Sequence, residues 1–340
     1  MIARRVLTLL FLAARCGVAL RAPSVSVRSA PRLRARAVAA PAADAASGSG
    51  GVLAGAGGAG LLAWREVAAA SRFADRRPVV VLHGLLGSKR NFRSFTDALA
   101  GATARKRRVL AFDLRCHGGS FGDSDMSYGV MARDVLATLD AAGIGECALI
   151  GHSMGGKVAM VCALADARVR ELVVMDIAPT AYRVGDGSNW NESLGLIEAL
   201  PALDLANLPD AAAADAALAR AVPDHALRAF ALTNLKKTPN GLKWKCDLDS
   251  IRANLGPLAA WDIADAGPLR RAIEARGAFK GDALFLKGAD SRYVRSVHVP
   301  VISRLFPSFT LQTVSGAGHW IHAENPAETL DFIRAYLDRD

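Results

Sequence analysis

Ser153 stands in Gly151-His152-Ser153-Met154-Gly155, a spacing with a mechanical reading. A serine hydroxyl is a weak nucleophile until a base activates it, and a sharp strand-to-helix turn aims it clear of the backbone. Side chains two residues before and after would collide across that turn, hence the paired glycines. The flanks fit, with apolar Cys147–Ile150 before the motif and helix-forming Lys157–Ala165 after it. A base must come from His83, His117, His152, His225, His298, His319 or His322. His319 follows Gly316-Ala317-Gly318 after the last expected strand and precedes the terminal helix, where a base following the nucleophile in chain order is delivered. His322 is expected to pack or hydrogen-bond one turn further on. His83 and His152, at the rim, are expected to stabilise their loops rather than transfer protons.

Two aspartates could orient the imidazole. Asp176 ends the run Leu172–Met175, and Asp290 follows Ala283–Leu286 in Lys287-Gly288-Ala289-Asp290. Both lie at carboxyl ends of strands beyond the nucleophile strand, and the residues alone leave both open. An oxyanion needs two backbone N–H groups. The Met154 N–H supplies one, and Leu85 in His83-Gly84-Leu85-Leu86-Gly87 the other. The chemistry expected of residues so arranged is acyl transfer through serine.

The elements that must hold these residues alternate strand and helix from residue 61 onward. Leu61–Val67 alternates like a half-buried strand, and Pro78–Leu82 is the continuous apolar run of a buried parallel strand. A helix over Phe92–Leu99, a strand over Val109–Asp113 and a helix over Tyr128–Ala141 follow. Cys147–Ile150 runs into the Ser153 turn, and Leu172–Met175, Ala283–Leu286 and Thr310–Val314 complete the strands. This rhythm predicts a mostly parallel central sheet covered by helices on both faces. Between about residues 178 and 276 the pattern is Leu/Ala-rich and helical with no convincing strand, placed to roof the site as a lid. Trp190, Phe230 and Trp244 are expected pocket walls.

Half the 340 residues are hydrophobic and 22% charged, which excludes a disordered chain. The formal charge of +10 does not signify nucleic-acid binding. Eight of the 42 basic residues lie in 1–43, which holds no acid, leaving 34 against 32 acidic residues. Arg105-Lys106-Arg107-Arg108 reads as a solvated helix end or loop. Arg4-Arg5 before apolar Val6–Ala14, then an Arg/Ser/Ala/Pro stretch, resembles the bipartite leaders of algae with plastids inside the endomembrane system. A plain mitochondrial presequence is the alternative. Nine residues are too few for a membrane span. Ala39–Gly60 reads as a flexible linker, so residues 1–60 are assigned to leader and linker and 61–340 to the folded domain. The five cysteines match no metal or redox spacing.

Separated motifs then carry a resemblance. They are residues 83–92 (HGLLGSKRNF), 113–118 (DLRCHG), 126–128 (MSY), 151–157 (GHSMGGK), 175–179 (MDIAP), 232–235 (LTNL) and 317–324 (AGHWIHAE). Together they resemble a branch of the α/β-hydrolase superfamily, the mitochondrial abhydrolase-domain proteins and their bacterial esterase relatives, over roughly residues 61–338. The resemblance implies hydrolysis of carboxylic esters, acylglycerols or acyl thioesters, and places the acid at Asp176. The late position is commonly Asn in that branch, whereas this chain has Asp290.

The expected partner is a small-molecule acyl ester or thioester, with no nucleic acid and no stable membrane span. No cofactor is expected and no metal: there is no clustered ligand set, and Gly-rich 55–60 precedes no phosphate-binding unit. An acyltransferase would use the same residues. Epoxide and haloalkane hydrolases place aspartate where this chain has Ser153. A non-enzymatic ligand-binding protein on this fold usually lacks a triad member. Nothing in the sequence specifies an oligomeric state.

Overall fold

Val79-Val80-Val81-Leu82 sends successive side chains to opposite faces of a strand, and all four are buried, so both faces must be covered. The computed structural model describes residues 52–55, 60–67, 77–103, 107–263, 266–267 and 269–339. The strands are β1 (Val52–Gly55), β2 (Trp64–Val67), β3 (Val79–Leu82), β4 (Val109–Phe112), β5 (Cys147–His152), β6 (Val169–Met175), β7 (Leu235–Thr238), β8 (Gly241–Trp244), β9 (Asp282–Gly288) and β10 (Phe309–Val314). Eight of them form one sheet in the order β1-β2-β4-β3-β5-β6-β9-β10. The β1–β2 and β2–β4 pairs are antiparallel and every other pair is parallel.

Val80, Leu82, Leu110, Phe112, Leu149 and Val174 point into one core with helices Tyr128–Ala141 and Met154–Ala165. Val79, Val81, Val109, Ala111, Ile150 and Val173 point into the other with helices Arg93–Ala102 and Pro326–Leu337. All twelve residues of Met154–Ala165 are buried, as expected of a helix apolar on every side. After β4 the chain returns across β3 to begin β5, so strand order reverses between them. Loops after β3 and β5 open a crevice at that switch point, and they carry Leu85 and Ser153.

Three expectations change. Residues 52–55, read as linker, form β1 on the sheet edge. The segment 178–276, expected without strands, contains the antiparallel pair β7–β8 beside its helices. These strands are four residues long, too short for alternation to register. The turn between them is marked only by Asn240-Gly241, with Gly241 at φ +98°. In the basic run, Arg107 is buried rather than solvated. It pairs with Glu171 at 2.6 Å and donates to the Leu337 carbonyl at 2.7 Å, while Arg108 pairs with Glu66. The leader, Cys16, and the linker apart from 52–55 and 60 lie outside the described residues. Among the described residues no helix is long and apolar enough to cross a membrane.

Candidate active site

Ser153 sits between β5 and helix Met154–Ala165 with φ +52° and ψ −120°, a conformation L-residues with a Cβ rarely adopt. The glycines around it are sterically required. A Cβ on Gly151 would collide with the Gly155 carbonyl, and one on Gly155 with the His83 carbonyl. Gly156 is equally constrained, since its Cβ would lie 2.6 Å from Ile177. The Ser153 N–H donates to the Met175 carbonyl at 3.0 Å, which ties the turn to β6.

His319 follows β10, and its Nδ1 lies 2.7 Å from Asp176 Oδ2. Asp176 is fully buried at the end of β6 and is held from three sides. Its N–H donates to the Leu286 carbonyl at 2.8 Å, its Oδ1 accepts from the Gly288 N–H at 3.0 Å, and its Oδ2 also accepts from the Ser291 hydroxyl. Asp290, the other acid considered, is exposed, and its N–H donates to the Ala317 carbonyl at 3.0 Å. The β9 loop thus turns a peptide N–H and a hydroxyl toward Asp176 and leaves its own carboxylate in solvent. Ser291 was not singled out from sequence, because nothing local marks a serine whose partner is 115 residues away.

Four other histidines, His152, His83, His117 and His322, are buried around the site. A carbonyl only accepts, so the 2.8 Å contact between His152 Nε2 and the His319 carbonyl fixes the proton on Nε2. Burial, then repulsion from His319 and His322, holds His152 well below the usual imidazole range, so it stays neutral and anchors the His319 backbone. His83 donates from Nδ1 to the Gly84 carbonyl and accepts the Leu114 N–H at Nε2. His117 donates from Nδ1 to the Arg115 carbonyl and accepts the Leu86 N–H. Their rings lie 5.0 Å apart, and burial, then His83, pushes His117 down to about 3. Together they lock the loop after β3 to the loop after β4. His322 stacks on Phe92 at 4.2 Å.

Leu85 and Met154 line the same cavity as Ser153 and His319, and neither N–H donates to another described residue. Trp190, Leu196, Ile197, Leu227, Phe230 and Trp320 give this cavity apolar walls, with a few polar groups converging on Ser153, the usual character of a small-molecule site. Trp190 and Phe230 are where sequence reasoning put them, whereas Trp244 is not a wall. A second groove also reaches His319 and is lined by Glu192, Asp224, Asp290 and Glu324 among others.

Lys157, one turn past Ser153, also lines the cavity and was not singled out from sequence. It is 1% exposed, donates to the Ala260 and Ala259 carbonyls at 2.7 and 3.3 Å, and lies over the rings of Tyr128 and Tyr182. Burial pushes its amine down to about 7 from 10.5. Between those values the folded chain binds less proton than the unfolded one, so stability rises with pH across that window. Lys157→Met should abolish this rise. The difference in unfolding free energy between wild type and variant should move by roughly 3 kcal/mol in favour of wild type between pH 7 and pH 10, read by denaturant titration. A difference independent of pH would show that the amine titrates normally.

Comparison with known proteins agrees with this architecture. Residues 77–326 match the family described as alpha/beta hydrolase fold. The chain is 37% identical over 265 residues to the sn-1-specific diacylglycerol lipase ABHD11 of Mus musculus, covering 76% of this chain and 80% of that protein. It is 32% identical to esterase YbfF of Escherichia coli (strain K12), covering 78% and 94%. Among solved structures, a marine microorganism esterase superposes with a TM-score of 0.71 at 30% identity, covering 81% of this chain and 99% of that one. The chain belongs to the alpha/beta hydrolase family, the fold that the strand order and the turn at Ser153 describe.

Proposed function

We propose that the protein is a carboxylic ester hydrolase working through an acyl-Ser153 intermediate, with His319 as base and then acid and Asp176 as its orienting partner. The observation that carries this reading is the 2.7 Å contact between His319 Nδ1 and a buried carboxylate, in a cavity shared with Ser153. Asp176 occupies Nδ1 and leaves Nε2 for the Ser153 proton. As Oγ attacks the ester carbonyl, Nε2 takes that proton, and the carbonyl oxygen gains charge facing the Leu85 and Met154 N–H groups. Collapse expels the alcohol, protonated by His319. Water then repeats the sequence on the acyl-enzyme and frees the acid.

The apolar cavity suits an acyl chain, and the relative that cleaves diacylglycerol at its sn-1 position makes acylglycerols the leading substrate class. Carboxylates lining the groove beside His319 favour a neutral, hydroxylated leaving group over the polyphosphate of coenzyme A. The test is a panel of p-nitrophenyl esters, monoacyl- and diacylglycerols and acyl-CoA thioesters of graded chain length. Esters of apolar acids should turn over with kcat/KM at least tenfold above the matching CoA thioesters. Thioesters as good as esters would overturn the leaving-group reading, and no turnover of any acyl substrate would overturn the hydrolase reading. Added alcohols or thiols report acyl transfer, the second use of the same residues, as new ester or thioester product.

A further inference from the structure

We propose that Asn234, a lid residue, is a positioning residue for catalysis. Its side-chain amide holds the Leu86 carbonyl and thereby aims the adjacent Leu85 N–H at the developing oxyanion. The inference rests on the reading of Leu85 and Met154 as oxyanion donors and adds a part to it.

The two donors are held in different ways. The Met154 N–H opens the nucleophile helix and is fixed by that helix. The Leu85 N–H belongs to the tight turn Gly84–Gly87, closed by the Gly87 N–H on the Gly84 carbonyl at 2.9 Å. Leu86, the third residue of this turn, has φ +57°, a left-handed conformation costing a bulky side chain on the order of 1–3 kcal/mol. Such a residue stays put only if its surroundings over-determine it. Here both polar groups of Leu86 are clamped, by two different segments of the chain. Its N–H donates to His117 Nε2 at 3.1 Å, from the loop after β4. Its carbonyl accepts from Asn234 Nδ2 at 2.5 Å, from the lid. A carbonyl cannot donate, so the amide must present its NH2 group there.

Asn234 is itself immobilised. It is 3% exposed, its N–H donates to the Ala231 carbonyl at 3.0 Å, and its carbonyl accepts the Lys245 N–H at 2.7 Å. It therefore joins the end of helix His225–Leu232, which carries the cavity walls Leu227 and Phe230, to the residue following β8. Rotation of the Leu85–Leu86 segment would break one clamp or the other. Removing Asn234 frees one end of the turn, and a misaimed donor loses most of its effect on the transition state while binding of the ground state is little changed.

The experiment compares wild type, Asn234→Leu, Asn234→Ala and Ser153→Ala as full chains, on p-nitrophenyl acetate and p-nitrophenyl octanoate and with a trifluoromethyl ketone inhibitor. Both Asn234 variants should lose about 10- to 100-fold in kcat with KM within about twofold. The loss should be equal for both esters, and the ketone, which binds as an oxyanion, should weaken by the same factor. Unchanged kcat, or a loss residing in KM or growing with acyl length, would overturn the proposal, since a merely structural lid residue would alter the pocket in that way. Activity retained by Ser153→Ala would take down the site reading and the inference together. Inactive Ser153→Ala beside fully active Asn234 variants would take down the inference alone. Should the Asn234 variants fail to fold, hydrogen exchange on wild type decides. Phosphonylation of Ser153 should protect segments 83–88 and 230–236 together, and protection of only one would overturn the coupling.

Discussion

Asp176→Asn should lower kcat/KM for an activated ester by about 10⁴, the loss measured when the corresponding serine-protease aspartate becomes Asn. Asp290→Asn should stay within about twofold of wild type. The asymmetry follows from the donors around each carboxylate. Asp176 accepts from the Gly288 N–H at Oδ1, and from the Ser291 hydroxyl and His319 at Oδ2. An Asn amide cannot satisfy all three. With its oxygen toward His319, its NH2 faces the Gly288 N–H. Reversed, its NH2 faces Nδ1 and selects the tautomer whose Nε2 carries a proton and cannot accept one from Ser153. Stopped-flow or steady-state hydrolysis of a p-nitrophenyl ester measures both variants. Comparable losses in the two would return Asp290 to the mechanism, and neither losing activity would remove Asp176 from it.

The same residues show how far sequence reaches. Strands β3 to β6 were legible because each carries a continuous apolar run that only a two-sided core explains, and helix Tyr128–Ala141 was legible to its ends. Ser153 and His319 announce themselves locally, through glycine spacing and a place after the last strand. The choice between Asp176 and Asp290 is not local. Both end parallel strands, and the outcome depends on whether the β9 loop gives Asp176 a peptide N–H and a hydroxyl or offers its own carboxylate. Asn234 and Lys157 stand in two of the quoted motifs, but their roles were unreadable for a related reason. Each is a polar residue whose partners, the carbonyls of Leu86 and of Ala259 and Ala260, are backbone atoms far along the chain. Backbone acceptors leave no signature in residue identity. The pair β7–β8 was missed because four-residue strands are too short to show alternation, and the buried Arg107 because its burial is decided by what packs over it, not by its own pattern.

Ser153→Ala and Ser153→Gly should both abolish ester turnover, by about 10⁴ or more, and abolish labelling by a fluorophosphonate probe, yet differ in stability. At φ +52° and ψ −120° the strain arises from the Cβ, which alanine keeps and glycine lacks. Relief is on the order of 1–3 kcal/mol, whereas glycine's greater freedom in the unfolded chain costs about 1 kcal/mol. The first term wins, so Ser153→Gly should melt at or above the temperature of Ser153→Ala. The packing around the turn is already built for atoms of this size, since Gly151, Gly155 and Gly156 leave no room to relax by shifting the backbone. Thermal unfolding followed by circular dichroism, beside the labelling assay, reads both quantities on the same samples. If the glycine variant melts clearly lower, the elbow is not strained at Ser153. If the alanine variant still takes the probe, the nucleophile lies elsewhere. An inactive but more stable glycine variant would mean that the turn stores strain to expose the hydroxyl, and that the cost is carried by the apolar packing of β5 and the buried helix behind it.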